Sequence, residues 1–317
     1  MATLGDWIQA ARPRTLVAAA VPVAVAAAVC GRHGSLSGDA HVILGFCLVF
    51  ALFAQIASNL ANDLGDGLRG TDQAGRVGPS RAVANGRISA RAMGWATAVC
   101  VTLAFLAGAP LALFDPWLLV AGILALLLAL GYTLGPAPLA YLGLGDIFVV
   151  ACFGVQATFL TGYVLHLAAL APAPCSCCEP WVDVAAASRW PALVRDLLIA
   201  GLGIGLLADN ILLANNARDR ETDALAGKRT TVVRFGCGFA RGLHACNLLV
   251  GLGCLAWVFG WLPLLLAPLG IWSHLRFRQA REAADFVPFL GQAALILLLA
   301  GVLCVTSACL LGGASAG

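Results

Sequence analysis

Apolar runs of membrane-crossing length recur along the whole of this chain, and very few folds can accommodate them. They occupy Thr15 to Cys30, His41 to Ala61, Arg91 to Leu113, Pro116 to Thr133, Leu142 to His166, Pro191 to Ala214, Ala240 to Phe259, Trp261 to Leu275 and Val287 to Leu311. A helix of about 20 apolar residues crosses the hydrocarbon of a bilayer. Only 11% of the residues are charged and 61% are hydrophobic, against about 25% charged in soluble domains. No single water-soluble core could hide that much apolar surface. A transmembrane barrel would show short alternating segments instead, and none are evident. The expectation is an all-α polytopic membrane protein of about nine transmembrane helices, forming one integral-membrane domain over residues 1–317. Arg12 and Arg14 before an apolar run imitate a secretory signal, with Ala26 to Cys30 as the small-residue cleavage region. Eight further spans follow it, so the first span reads as a retained helix.

Charge placement orients the chain. With the N-terminus inside, the outer segments hold only Arg32, Arg189 and Arg195, which leaves 16 of the 19 Lys and Arg on the inner side. Cytoplasmic loops carry such an excess, so a bacterial cytoplasmic membrane with the N-terminus in the cytoplasm is expected. The net charge is only +3, and no nucleic-acid partner is expected. Most of the 12 cysteines sit singly in apolar runs, where a thiol is a small buried side chain. The exception is Cys175-Ser176-Cys177-Cys178 in an outer-face loop, residues 167–190. That loop reads as variable, with a disulfide or an adventitious metal as the alternative.

Two polar stretches stand out from the hydrocarbon. Acidic motif 1 lies within residues 59–81: Asn62-Asp63-Leu64-Gly65-Asp66, then Asp72, Arg76 and Arg81. Acidic motif 2 lies within residues 215–231: Asn215-Asn216-Ala217-Arg218-Asp219, then Asp223 and Gly227-Lys228-Arg229-Thr230. The pairs Asn62/Asp66 and Asp219/Asp223 are four apart, which places each pair on one face of a continued helix. Carboxylates held that close repel unless a cation sits between them, and hard oxygen donors suit Mg²⁺ completed by substrate phosphates. Arg81, Lys228 and Arg229 could then take phosphate oxygens. Both stretches follow even-numbered spans, so both emerge on the cytoplasmic face, where they can meet over one cavity. A solvated surface loop would explain one such stretch, but not two that match. Asn59, Asp209 and Asn210 lie a turn or two deeper, where polar groups are costly and usually face a cavity.

These residues resemble the UbiA superfamily of intramembrane prenyltransferases. The carriers are Ala11-Arg12-Pro13-Arg14-Thr15-Leu16, Asn59 to Asp63 through Gly70-Thr71-Asp72, and Arg76-Val77-Gly78-Pro79-Ser80-Arg81. Tyr132-Thr133-Leu134-Gly135-Pro136, Gly143-Leu144-Gly145-Asp146 and the second motif through Lys228-Arg229-Thr230 complete the pattern. Within the superfamily they are most similar to the branch that prenylates 1,4-dihydroxy-2-naphthoate in menaquinone synthesis, because position 70 is glycine and Asp72 carries the last acid of motif 1. The resemblance implies nine helices around a central cavity, two Mg²⁺ ions and a polyprenyl diphosphate donor. It puts Asn62, Asp66, Asp219 and Asp223 at metal-binding positions, with Asp63 and Asp72 as assisting acids. Arg81, Lys228 and Arg229 fall at diphosphate-holding positions, Asn59 faces the same cavity, and Tyr132 and Tyr141 cover the donor's reactive end. Ionisation of the donor, attack by the aromatic ring and loss of CO₂ would follow. The alternatives are the same site with another acceptor, such as 4-hydroxybenzoate or homogentisate, or a membrane transporter.

Overall fold

The structure, a computed structural model, describes residues 2–70, 78, 81–135, 138–170 and 184–314. Among these, every regular element is helical. In chain order they are α1 (Leu4–Ala11), α2 (Val17–Arg32), α3 (Ala40–Arg69), α4 (Ala90–Gly108), α5 (Trp117–Gly131) and α6 (Gly145–Leu170). Then follow α7 (Val184–Arg218), α8 (Arg220–Leu225), α9 (Thr231–Phe259), α10 (Ala267–Gln279) and α11 (Val287–Ala314). Short 3₁₀ turns join several of them.

Six helices are long and apolar enough to cross a membrane, or seven if α1 and α2, bent by 44°, count with their connecting turn as one span. The expected nine is therefore not reached by length. The two shortfalls are α5, with 15 residues, and α10, with 13; at 1.5 Å per residue each falls short of ~30 Å of hydrocarbon. Both ends of the expected outer loop are helical: residues 167–170 close α6 and 184–190 open α7. Cys175, Cys177 and Cys178 fall outside the described residues, and the nine cysteines within them are free.

The helix α7 is the axis of the bundle. The apolar window of α7 is 72% buried, against 17% for α4, so α4 faces lipid while α7 is surrounded by protein. It packs against α2, α6, α9 and α11, and Leu193, Leu197, Ala200, Ile204 and Leu207 sit in the main core. Glycines permit its closest approach to α6: a Cβ on Gly205 would lie 2.7 Å from Val150 O and 2.9 Å from Val150 Cα. Small residues serve this purpose where no water drives helices together. The facing stretch of α6, Val149–Gln156, is wound as a π-helix, a local widening that occurs often near functional sites.

Two elements run further than their apolar runs suggest. The helix α3 continues through motif 1 to Arg69 and stops at Gly70, whose φ of 64° caps it in the left-handed region. Motif 2 begins on α7 and passes, at Asp219, into the short α8. The helix α9 starts at Thr231, capped by the Thr230 hydroxyl, and breaks at Gly236 (φ 78°) before its long apolar stretch.

Candidate active site

Because α3 stays helical through motif 1, its polar side chains are displayed in turn around one helix end. Asp66 is fully buried and meets three groups. Arg81 Nη2 donates to Oδ2 at 2.8 Å, Lys228 Nζ donates to the same oxygen at 3.0 Å, and the Tyr141 hydroxyl reaches Oδ1 at 3.4 Å. Arg81 closes motif 1 and Lys228 belongs to motif 2, so this carboxylate ties the two stretches together. Asp63 does something else: its oxygens accept the backbone N–H groups of Ala82 and Val83, both at 3.0 Å, which fixes the chain that carries Arg81. Asn59 donates to Ala11 O and to Thr15 Oγ1, both at 2.9 Å, and so clamps the turn after α1 onto α3. That turn delivers Arg12, the one non-glycine residue with positive φ among those described (51°). Its Nη2 lies 3.4 Å from Asn62 Oδ1.

Motif 2 is tethered the same way. Arg218 grips Asp219 with two bonds of 2.7 Å, from Nε and Nη2, a bidentate geometry that fixes orientation as well as charge. Gly78 lies against that guanidinium: a Cβ there would be 2.9 Å from Arg218 Cζ. Asp223 follows one turn after Asp219, its N–H bonding Asp219 O at 2.8 Å, and it lies 3.6 Å from Lys228 Nζ. Lys228 also sits 5.4 Å from the Tyr141 ring centroid, and Arg69 stacks on that ring at 5.1 Å. Burial works against the charge on Lys228, but Asp66 and then Asp223 outweigh it and hold its pKa above the usual lysine value.

These groups surround a cavity of about 440 Å³ lined by residues from both motifs, including Asn59, Asn62, Asp63, Arg81, Tyr132, Asp219, Asp223 and Lys228. An apolar cavity of about 140 Å³ adjoins it and shares Ala18, Gln55, Phe148 and Phe153 with it. Asp66 and Tyr141 stand behind the lining side chains they hold. Arg229 is placed differently: its side chain is exposed, and its contribution is a backbone N–H to Tyr141 O at 3.2 Å. Asp72 lies outside the described residues, as does Arg76. Sequence reasoning did not assign site roles to Arg12, Arg14, Arg218, Asn215, Asn216 and Asp146, which also line the cavity. The Arg-Pro-Arg turn and the GLGD run were visible signals for two of these groups. Asp209 and Asn210 are buried as expected of deep polar groups, but they bond Asn247 rather than lining the cavity.

The donor set fits a hard divalent cation. Asn62, Asp219 and Asp223 bring oxygen to the cavity, and no thiol or imidazole stands among its lining residues. The carboxylates are held here by Arg81, Lys228 and Arg218, and the described residues contain no group of three acids, histidines or cysteines ready to hold a metal ion. Such an open set suits Mg²⁺, which retains waters and is completed by phosphate oxygens.

A bundle of apolar helices around a cavity lined by paired acids and cations defines an integral membrane protein with a charged internal site. Residues 19–296 match the UbiA prenyltransferase family, and the chain belongs to that family. It is similar to the 1,4-dihydroxy-2-naphthoate octaprenyltransferase of Haemophilus influenzae, 31% identical over 312 residues that cover 94% of this chain and 93% of the relative. Those of Escherichia coli (35% over 281 residues, 83% and 82% covered) and Mycobacterium tuberculosis (34% over 307 residues, 94% and 95%) are comparably similar. Among solved structures, the fold resembles that of a UbiA homolog from Archaeoglobus fulgidus bound to DMAPP and Mg²⁺, with a TM-score of 0.53 and 18% identity over 95% of this chain and 99% of that one. A digeranylgeranylglyceryl phosphate synthase structure gives a TM-score of 0.55 at 14% identity, covering 96% and 98%.

Proposed function

We propose that this chain transfers a polyprenyl group from polyprenyl diphosphate to 1,4-dihydroxy-2-naphthoate, with loss of CO₂ and diphosphate, giving demethylmenaquinol, the reduced form of demethylmenaquinone. The observation that carries the reading is the meeting at Asp66 of Arg81 from motif 1 and Lys228 from motif 2, the latter 162 residues from Asp66 in the chain, beside a cavity with an apolar extension. The relatives named for that acceptor, similar along most of both chains, support the choice of acceptor.

Arg81 and Lys228 are placed to neutralise the departing diphosphate, and cations aimed at developing charge lower the barrier most in a water-poor site. Asn62, Asp66, Asp219 and Asp223 would hold Mg²⁺, which when bound adds positive charge at the leaving group. Tyr132 lines the cavity and Tyr141 orients Lys228. The apolar cavity beside Phe148 and Phe153 takes the first part of the isoprenoid chain and keeps water from the allylic cation. The site opens at the end of the bundle that carries most cations, which the positive-inside bias assigns to the cytoplasm.

The test supplies membranes containing the protein with Mg²⁺, a polyprenyl diphosphate and 1,4-dihydroxy-2-naphthoate, and reads product by mass. Demethylmenaquinol, read as demethylmenaquinone after oxidation in air, is expected, and it should disappear with EDTA. Prenylation of 4-hydroxybenzoate or homogentisate in its place would move the acceptor assignment, and EDTA-resistant product would remove the metal.

A further inference from the structure

Two buried carboxyls stand apart from the acids that bind the donor. Asp146, near the start of α6, lines the cavity; Asp209, on α7, is 1% exposed. Each gives one oxygen to a neutral donor. Thr231 Oγ1 donates to Asp146 Oδ2 at 2.8 Å, and Asn247 Nδ2 donates to Asp209 Oδ2 at 2.8 Å. The remaining oxygens, Asp146 Oδ1 and Asp209 Oδ1, are buried and receive no N–H or O–H from the protein. The two carboxyls are near enough to act on one another electrostatically.

Two buried carboxyls this near one another, with no cation between them, disfavour a double negative charge, and paired carboxyls of this kind hold one proton between them. Neither residue meets an arginine or lysine among those described, whereas Asp66, Asp219 and Asp223 all do. The Tyr132 hydroxyl lies over Gly145, next to Asp146, where a Cβ would come within 3.0 Å of it. A cavity-lining pair that holds one proton and can accept a second is suited to a reaction in which a proton leaves the substrate and later returns.

Resting on the acceptor proposed above, we propose that Asp146, backed by Asp209, takes the proton of the acceptor's ring hydroxyl during carbon–carbon bond formation and returns it when CO₂ leaves. The ring carbon bearing the carboxylate bonds to the prenyl carbon, and the prenyl C–O bond breaks with its electron pair departing on diphosphate. The proton of the adjacent hydroxyl passes to the Asp146–Asp209 pair, which leaves a ring ketone next to a carbon carrying both the prenyl group and the carboxylate. The bond to the carboxylate then breaks, CO₂ leaves, its electron pair restores the aromatic ring, and the ring oxygen recovers the proton. No net proton is consumed and no further reactant is needed. Asp146 is the catalytic residue of the pair; Asp209 and Thr231 are positioning residues. Of the other charged groups at the cavity, Arg81 and Lys228 meet Asp66 behind its wall, and Lys228 also meets Asp223. Arg218 holds Asp219, Arg12 reaches Asn62, Asp63 holds the Ala82 and Val83 N–H groups, and Arg14 completes the lining.

The test compares the wild type, Asp146→Asn and Asp209→Asn in detergent, with Mg²⁺, polyprenyl diphosphate and 1,4-dihydroxy-2-naphthoate. Turnover is followed against pH, and donor binding is measured with a non-reacting thiolo-diphosphate analogue. Loss of a positioned acid–base group costs about 100-fold or more. Asp146→Asn should lose that much at neutral pH while binding the donor analogue within about twofold of wild type. Its rate should climb about tenfold per pH unit as solvent takes over removal of the hydroxyl proton. Asp209→Asn should show a smaller loss with the same climb. Asp146→Asn with wild-type turnover and pH profile would overturn the inference, as would donor binding that falls in step with turnover. If Asp146→Asn does not fold, Thr231→Val carries the test, with a lowered rate and the same alkaline climb expected. A wild type that makes no prenylated naphthoate would fail the acceptor assignment itself, an outcome distinct from a wild type that works beside an unaffected variant.

Discussion

Asp66 is shut off from solvent, yet groups from three segments reach it: Arg81, Tyr141 and Lys228. A buried carboxylate with two cations on one oxygen is poised rather than restful, since a bound diphosphate competes for the same cations. Asp66→Asn and Asp223→Asn keep size and shape while removing charge, so both should insert and elute normally in detergent and lose about 100-fold or more of prenyl transfer. Retained turnover in both would remove them from the metal set. Asp63 belongs to a different mechanism. Its two bonds to Ala82 N and Val83 N are charge-assisted, and such bonds contribute roughly 1.5–3 kcal/mol each. Asp63→Ala should therefore lower the thermal midpoint and weaken donor binding through Arg81, both measurable without acceptor. The Lys228 contact has a pH sign: its folded-state pKa is raised above the usual lysine value. Its stabilisation is complete at neutral pH and is lost as pH rises through that folded-state value. The i, i+4 spacing makes Asn62 and Asp66 legible in the sequence, because the helix does continue through them. Spacing does not separate the ligand-type acid from the loop-fixing one. Asp63 and Asp66 look alike in the sequence, and only the position of the 81–88 chain distinguishes them.

Helix ends explain which parts of the fold are legible. Apolar runs mark where hydrocarbon lies, but a helix stops where its capping chemistry stops it, at Gly70 for α3 and at the Asp219 break for α7. The motifs therefore lie on helix, and the site inherits its rigidity. Both ends of the expected outer loop are helical: residues 167–170 simply continue the apolar run of α6, while Ser188 and Arg189 interrupt the apolar pattern of the stretch before Trp190. Close packing of α6 on α7 is not legible at all, because glycine periodicity in an apolar run does not say which glycines touch backbone. Gly205→Ala tests it. Its Cβ would press on Val150 O and Cα, backbone that cannot swing aside, and overpacking costs about 1–3 kcal/mol. A thermal midpoint several degrees lower is expected. Gly253→Ala in α9, where nothing lies within 4 Å of the new methyl, should be neutral or mildly stabilising, since alanine is favoured over glycine in helices by about 1 kcal/mol. Equal effects at the two positions would refute the packing argument.

At the scale of the molecule, contacts between chain-distant residues sort the helix ends into two sets. Arg189 Nη1 donates to His33 O at 2.8 Å, His33 meets Asp196 at 3.0 Å, and Arg32 lies 5.8 Å from the Phe259 ring centroid. The Ser307 hydroxyl bonds Phe259 O, so the last turns of α11 join that same end. Asn59 with Ala11, Asp66 with Lys228, and Arg241 with Ala280 belong to the half that holds the cavity. The N-terminal turn and the C-terminal end of α11 therefore lie at opposite ends of the bundle, whether α5 and α10 cross the bilayer fully or not. Cations make the same division: Arg32, Arg189 and Arg195 flank the end away from the cavity, and Arg81, Arg218 and Lys228 flank the other. On the positive-inside bias we propose that the cavity and the N-terminus face the cytoplasm and the C-terminal end of α11 faces outside. A fluorescent reporter that matures only in the cytoplasm should light when fused before residue 2 and stay dark when fused after residue 317. A phosphatase reporter that folds only outside should give the reverse. Two reporters on one side would mean an even number of crossings, which these contacts do not allow. Both signals inverted would leave the bundle intact and turn the cavity outward, away from a cytoplasmic supply of diphosphate donor.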